Sequence, residues 1–350
     1  MNILPINSFY NFNKFCAKEN NTSSANFGLK LSTPLMRDTV SFTGAATYKK
    51  AGAKADMINH ELAMQVRKRM KKPHDKNKEF LLDNFCDLID EGKITLLDRI
   101  KKEYSIRQKC CSRGWNDEKT IMSKMTDISG FCFVLEDKKA FNEVMNRFIK
   151  LIKNHKIRIA NPEYIEGLPF EYHVFPSIYK KGKVVESFNS LNPDKLQELK
   201  RAIIETYYPS SRISDTIDSI SGYSGLHVII ENPDETYSEI KFLTRGMTDV
   251  QKIENLLYKI RNGKDIDPKY SYMETILSPF RPVDEFASDL DKKNYEKLIK
   301  AISKYTNSVY NFALKHPYEK NITLPRPTDP LIAQYDFNNL KKLMDACEKM

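Results

Sequence analysis

Residues 99–109 read Arg-Ile-Lys-Lys-Glu-Tyr-Ser-Ile-Arg-Gln-Lys. Arg99, Lys101, Ser105 and Lys109 place three cations and a hydroxyl in this run. If the segment continues as a helix, Ser105 and Lys109 fall one turn apart on one face. Such a donor set suits a polyphosphate, whose oxygens accept charge-assisted hydrogen bonds. A basic run alone is usually a solvated face. Its weight comes from three blocks that follow.

The first is Thr126-Asp127-Ile128-Ser129-Gly130-Phe131-Cys132-Phe133-Val134, with Asp127 ahead of an apolar strand from Phe131 to Leu135. The second is Ser221-Gly222-Tyr223-Ser224-Gly225-Leu226-His227. The third, Ser238-Glu239-Ile240-Lys241-Phe242-Leu243-Thr244, sets Glu239 mid-strand. Alternation puts Glu239 on one face with Lys241 and Leu243.

In this order the four blocks resemble the synthetase domain of the RelA/SpoT family, the makers of (p)ppGpp. That family reads roughly R-I-K-x-x-x-S-I-x-x-K, D-I-x-G-x-R, G-Y-R-S-L-H and E-I-Q-I-R-T. The first block matches at every key position and the others in part, over about residues 85–262. The resemblance implies a nucleotidyltransferase-like synthetase fold of the α/β (α+β) class: a mixed β-sheet flanked by helices, with a helical C-terminal tail. It implies an ATP-dependent GTP pyrophosphokinase acting on GDP or GTP. By the same resemblance Arg99, Lys101, Ser105 and Lys109 face the ATP phosphates. Asp127 and Glu239 are catalytic and hold Mg²⁺, a hard cation that takes few protein ligands. Tyr223 stacks on the acceptor base, and His227 and Lys241 lie on the acceptor side. Gly222 and Gly225 would let the backbone approach the ligand.

Departures from the pattern cluster on the acceptor side. Cys132 and Leu243 stand where the family has Arg, Lys241 where it has Gln, and Asn255 where it has His. The Lys expected before Gly222 has no counterpart among Asp218, Ser219, Ile220 and Ser221. Lys241 and Arg245 could restore some charge, although a Lys cannot replace a bidentate Arg fork. Three readings follow: a guanosine pyrophosphokinase with shifted contacts, a relative acting on an adenosine nucleotide or a tRNA 3′ end, or a nucleotide-binding module without turnover. An intact donor side with both carboxylates favours the first two.

The 350 residues suffice for one large or two modest domains. A net charge of +10 favours anionic partners without choosing among them. A nucleic-acid binder is the competing class, but acidic residues are interspersed throughout and no RNA-binding signature is visible. No apolar stretch reaches the roughly 18–20 residues of a membrane span, and no signal peptide is evident. The six cysteines form no C-x-x-C pair and no His cluster sits beside them, so zinc is not expected. Adjacent Cys110 and Cys111 read as reduced thiols of a cytoplasmic protein.

Three regions are expected: a disordered leader over 1–50, a synthetase domain over 51–275 and a helical extension over 276–350. Residues 57–72 read as a helix ending before Pro73, with His74-Asp75 in a loop, and 79–91 as a separate amphipathic helix. Residues 172–188 read as a hairpin, 194–207 as a helix, and 226–231 and 237–243 as paired strands. Leu298, Ile302, Tyr305, Val309 and Phe312 define a long helix, and these C-terminal helices could build a homo-oligomer or a scaffold.

Overall fold

The computed structural model describes residues 60–165, 167–174, 179–180, 183–184, 191–207, 214–218, 223–261, 270–283 and 286–349. The expected leader, Gly222 and parts of the 172–188 segment lie outside these residues. All of them belong to one contact unit, Leu31–Met350.

Helix α1 is His60–Asp90, one continuous element with Pro73 inside it. This corrects the two-helix reading. A proline forfeits one backbone hydrogen bond and crowds the preceding turn, but a stripe through Ala63, Val66, Met70, Pro73, His74, Leu81, Phe85 and Leu88 is buried along the rod. Tertiary packing on both sides of Pro73 outweighs the local break. His74-Asp75 is therefore helical, not a loop.

Strand β1 (Ile94–Ile100) follows, then α2 (Glu103–Arg113), α3 (Glu118–Lys124), β2 (Ser129–Leu135) and α4 (Lys138–Lys153). Next come β3 (Arg158–Ile159), β4 (Phe170–Val174), β5 (Tyr179–Lys180), β6 (Lys183–Val184) and α5 (Pro193–Thr206). Strands β7 (Ser214–Asp218), β8 (Gly225–Glu231) and β9 (Tyr237–Thr244) precede α6 (Arg245–Arg261), α7 (Ser271–Ile276), α8 (Asp289–Lys315) and α9 (Phe337–Lys349).

The fold is α+β. Its mixed sheet has seven strands in the order β1-β2-β9-β8-β4-β7, with β3 also on β8. β2 and β9 are parallel, as are β4 and β7; β8 runs antiparallel to β9 and β4. The expected 226–231 and 237–243 pair forms as read. The 172–188 hairpin does not: β5 and β6 make a tighter one, while β4 joins the main sheet.

Alternation sorts the sheet into two faces. Phe131, Phe133 and Leu135 on β2, Ile240 and Phe242 on β9, and Leu226, Val228 and Ile230 on β8 enter the main core with α1, α4 and α5. The opposite face carries the polar residues of the site. At one end it is covered by a second core of Tyr223, Leu243, Met247, Ile253, Tyr305, Tyr310 and Phe337, among others. This core joins α6 to α8 and α9 and so runs across position 275. The stripe on α8, including Ile302, Tyr305 and Val309, is consumed inside the chain. A third cluster packs the first half of α1 on α2 and α3 through Ala63, Val66, Met70, Ile106, Cys110 and Ile121. No helix among the described residues is long and apolar enough to cross a membrane.

Candidate active site

The 99–109 run spans two elements. Arg99 ends β1, Lys101 lies in the link, and Ser105 and Lys109 share one face of α2. Lys101 Nζ is 2.5 Å from Asp127 Oδ2, and Lys109 Nζ is 2.8 Å from Oδ1. Each carboxylate oxygen is thus held by one lysine of the 99–109 run. Burial opposes the charge on Asp127, but the two ammonium groups outweigh it and hold the carboxyl well below its ordinary range. Burial pulls Lys101 down, offset by Asp127 and reinforced by Lys109 and Arg99.

Sheet register carries the site onward. Arg99 pairs with Gly130, and Gly130 pairs with Glu239. Glu239 Oε1 lies 3.2 Å from His227 Nδ1, and Oε2 lies 3.3 Å from Lys241 Nζ. Burial again opposes ionisation of Glu239; Lys241 and the His227 hydrogen bond prevail and keep it well below the usual carboxylate range, while the charge on Asp127 pushes the other way. The two acidic residues therefore sense one another across the β2–β9 step. The structure brings the charged Arg99, Lys101, Lys109, Asp127, Glu239 and Lys241, with the uncharged His227, into one polar row.

Tyr223 is only 7% exposed and belongs to the second core. Its hydroxyl lies 2.7 Å from His227 Nε2 and meets Gln251. Its ring packs edge-on against His173 and Tyr310. The ring is therefore buried among protein groups in this structure. His227 is pushed down to about 4, by burial first and by the Lys241 charge next. Its neutral ring has a defined tautomer: Nδ1–H donates to Glu239 and Nε2 accepts the Tyr223 hydroxyl.

Of the substituted positions Lys241 carries a cation, held by Glu239, while Cys132 and Leu243 carry none. Burial raises the Cys132 thiol to about 12, leaving it neutral. Leu243 is 1% exposed. Arg245 is bound to Glu136 and Thr95 at the far end of β2. Gly225 makes room for protein rather than for a ligand: a Cβ there would stand 2.4 Å from Leu243 Cδ2 and 3.0 Å from the Tyr223 hydroxyl.

Three buried or half-buried groups escaped the sequence reading. His74, stacked on Phe131, is 3.0 Å from both Ser129 Oγ and Asp98 Oδ2. Glu171 and His173 on β4 lie beside His227, since Glu171 pairs with His227 in the β4–β8 register. An E-x-H spacing places both side chains on one face of a strand; the hairpin reading of 172–188 made this segment a strand but paired it with the wrong neighbour, so His227 was not placed beside it.

The donor chemistry suits Mg²⁺: two ionised carboxylates supply hard oxygens, Asp127 just ahead of β2 and Glu239 on the adjoining β9. No family model matches the chain, and no curated protein matches it. Among solved structures it is similar to a GTP pyrophosphokinase family protein from Streptococcus pneumoniae, with 16% identity, TM-score 0.31, and coverage of 72% of this chain and 95% of that one. Small alarmone synthetase 1 from Bacillus subtilis, bound to its product pppGpp, shows 15% identity and TM-score 0.30, covering 68% and 96%. Small alarmone synthetase 2 from the same organism shows 19% identity and TM-score 0.31, covering 65% and 95%. At TM-scores near 0.3 these likenesses assign neither a substrate nor a residue role to this chain.

Proposed function

We propose that this chain is an ATP-dependent pyrophosphokinase that transfers a pyrophosphoryl group to the 3′-hydroxyl of GDP or GTP, giving (p)ppGpp as in a stringent response. The observation that carries the proposal is the Lys101–Asp127–Lys109 clamp set one strand from Glu239. Phosphoryl chemistry asks a protein mainly to position reactants and neutralise charge. Arg99, Lys101, Lys109 and Lys241 provide four cations against the two carboxylates of this row, leaving positive charge for phosphate oxygens. Ser105, one turn from Lys109, adds a hydroxyl donor.

In the reaction the acceptor 3′-oxygen forms a bond to the β-phosphorus of ATP, the bond from that phosphorus to the α–β bridging oxygen breaks, and AMP leaves. Asp127 and Glu239 would hold Mg²⁺, which supplies positive charge to the donor phosphates. Lys101 and Lys109, released from Asp127, would then grip phosphate oxygens. Glu239 relays the 3′-hydroxyl proton to solvent as the new bond forms. It accepts a hydrogen bond from the 3′-hydroxyl and aims it, with His227 and Lys241 fixing its own position.

The buried Tyr223 and neutral Cys132 favour a second reading on the acceptor side: pyrophosphorylation of an adenosine nucleotide or a tRNA 3′ end. One experiment tests both. The purified chain is incubated with labelled ATP, Mg²⁺ and each acceptor in turn. Release of AMP with a pyrophosphorylated guanosine product supports the first reading, and a product only with another acceptor supports the second. No AMP with any acceptor leaves a binding module and ends the proposal. Light scattering on the same sample tests a homo-oligomer. A cytoplasmic location agrees with free thiols at Cys86, Cys110, Cys111, Cys132 and Cys347.

A further inference from the structure

We propose that Glu171, His173 and His227 form a second metal site, selective for a divalent transition ion of the zinc class and distinct from the Asp127–Glu239 pair. One ligand-capable atom from each of the three residues lies within 4.8 Å of the other two. Ligands at about 2.0–2.2 Å around a tetrahedral ion stand about 3.4 Å apart, so modest side-chain movement closes the set. The backbone holds all three ready. Glu171 and His173 are alternate residues of β4, and Glu171 and His227 are directly opposed on β8.

His173 supplies the independent observation. It is 2% exposed, yet neither ring nitrogen has a hydrogen-bond partner. The Glu171 carboxylate is 3.3 Å from its Nε2 but out of hydrogen-bonding alignment. A buried imidazole without partners is costly, and a ligated ion would satisfy it. The ring lies 4.7 Å, centroid to centroid, from that of His227.

The surroundings of His227 match the outer arrangement of metal-binding histidines. Such a ring usually donates its second N–H to a carboxylate, which fixes the tautomer and frees the other nitrogen for metal. His227 Nδ1–H meets Glu239, so Nε2 carries the lone pair, now turned to the Tyr223 hydroxyl. Metal binding would displace that hydroxyl. Two imidazoles and one carboxylate select zinc and its neighbours such as cobalt over magnesium, whereas Asp127 and Glu239 offer oxygen alone. The three ligands leave a fourth position open, as sites that bind a substrate or water do.

The test uses the full chain stripped with a chelator and titrated with Co²⁺ and Zn²⁺. Binding is followed by the visible absorption of Co²⁺ and by zinc competition with a chromogenic chelator. One equivalent should bind, with Co²⁺ bands of a nitrogen-containing, low-coordinate site. His173→Ala and Glu171→Gln should each weaken binding at least tenfold while Asp127→Asn leaves it unchanged. Circular dichroism on each variant reports the fold, and the partly exposed Glu171→Gln serves if His173→Ala unfolds. No stoichiometric binding overturns the proposal, as does loss of binding in Asp127→Asn with retention in His173→Ala. The result is independent of whether the chain transfers pyrophosphate.

Discussion

His227 Nδ1 stands 3.2 Å from Glu239 Oε1, joining an uncharged imidazole to an ionised carboxylate inside the sheet face. The pair fixes a pH dependence. His227 has a folded value of about 4, below the 6.5 of a free imidazole. Between these values the unfolded chain binds the proton and the folded one does not, so stability falls as pH drops from 6.5 through 4. The full loss is about 3 kcal/mol. Urea unfolding at pH 7 and pH 4.5 should show it, and His227→Gln should flatten that slope. An unchanged slope in the variant would place the titration elsewhere.

Asp127 neutralises two lysines at once. Asp127→Asn leaves the mostly buried Lys101 beside Lys109 without its anion. Losing one partner of a fully buried pair costs about 3–5 kcal/mol, and this group is about a fifth exposed, so a loss of about 1–3 kcal/mol is expected in urea. Pyrophosphate transfer should fall by at least a thousandfold with the circular dichroism retained. Native turnover in this variant would remove Asp127 from the chemistry.

Gly246 opens α6 where the chain after α8 returns. Its N–H donates to the Pro317 carbonyl at 2.8 Å, and a Cβ would stand 2.4 Å from the His316 carbonyl. The obstacle is backbone, which cannot rotate away. Gly246→Ala should cost about 1–3 kcal/mol through overpacking. Gly225→Ala meets side chains instead. It should cost less stability yet shift the Tyr223–His227 contact, visible as a changed His227 ring resonance.

His74→Leu conserves bulk but removes the partner of the buried Ser129 hydroxyl. A loss of about 1–3 kcal/mol is expected by thermal unfolding. Ser129→Ala in the His74→Leu background should add little, since the unsatisfied group is then gone. A strictly additive double variant would contradict the coupling.

Local pattern carried much of this molecule. Glu239, Lys241 and Leu243 share a face, as period two requires, and α5 and α8 fall where the sequence reading put helices. Ser105 and Lys109 lie on one helix as the spacing required. Pairing partners were not legible, because register is set by strands far apart in sequence. Nothing near 171 announces that His227 lies opposite it, and nothing near 74 announces Asp98 and Ser129. Pro73 misled for the converse reason: its local signal is strong, and only the packing of distant α2, α3, β1 and β2 against one stripe overrides it.

The 31-residue rod α1 runs about 46 Å at the usual rise per residue. Its leading half seats the helix bearing Lys109, and its trailing half seats the strands bearing Glu239. One continuous helix therefore gives the lysine clamp and the far carboxylate a common support.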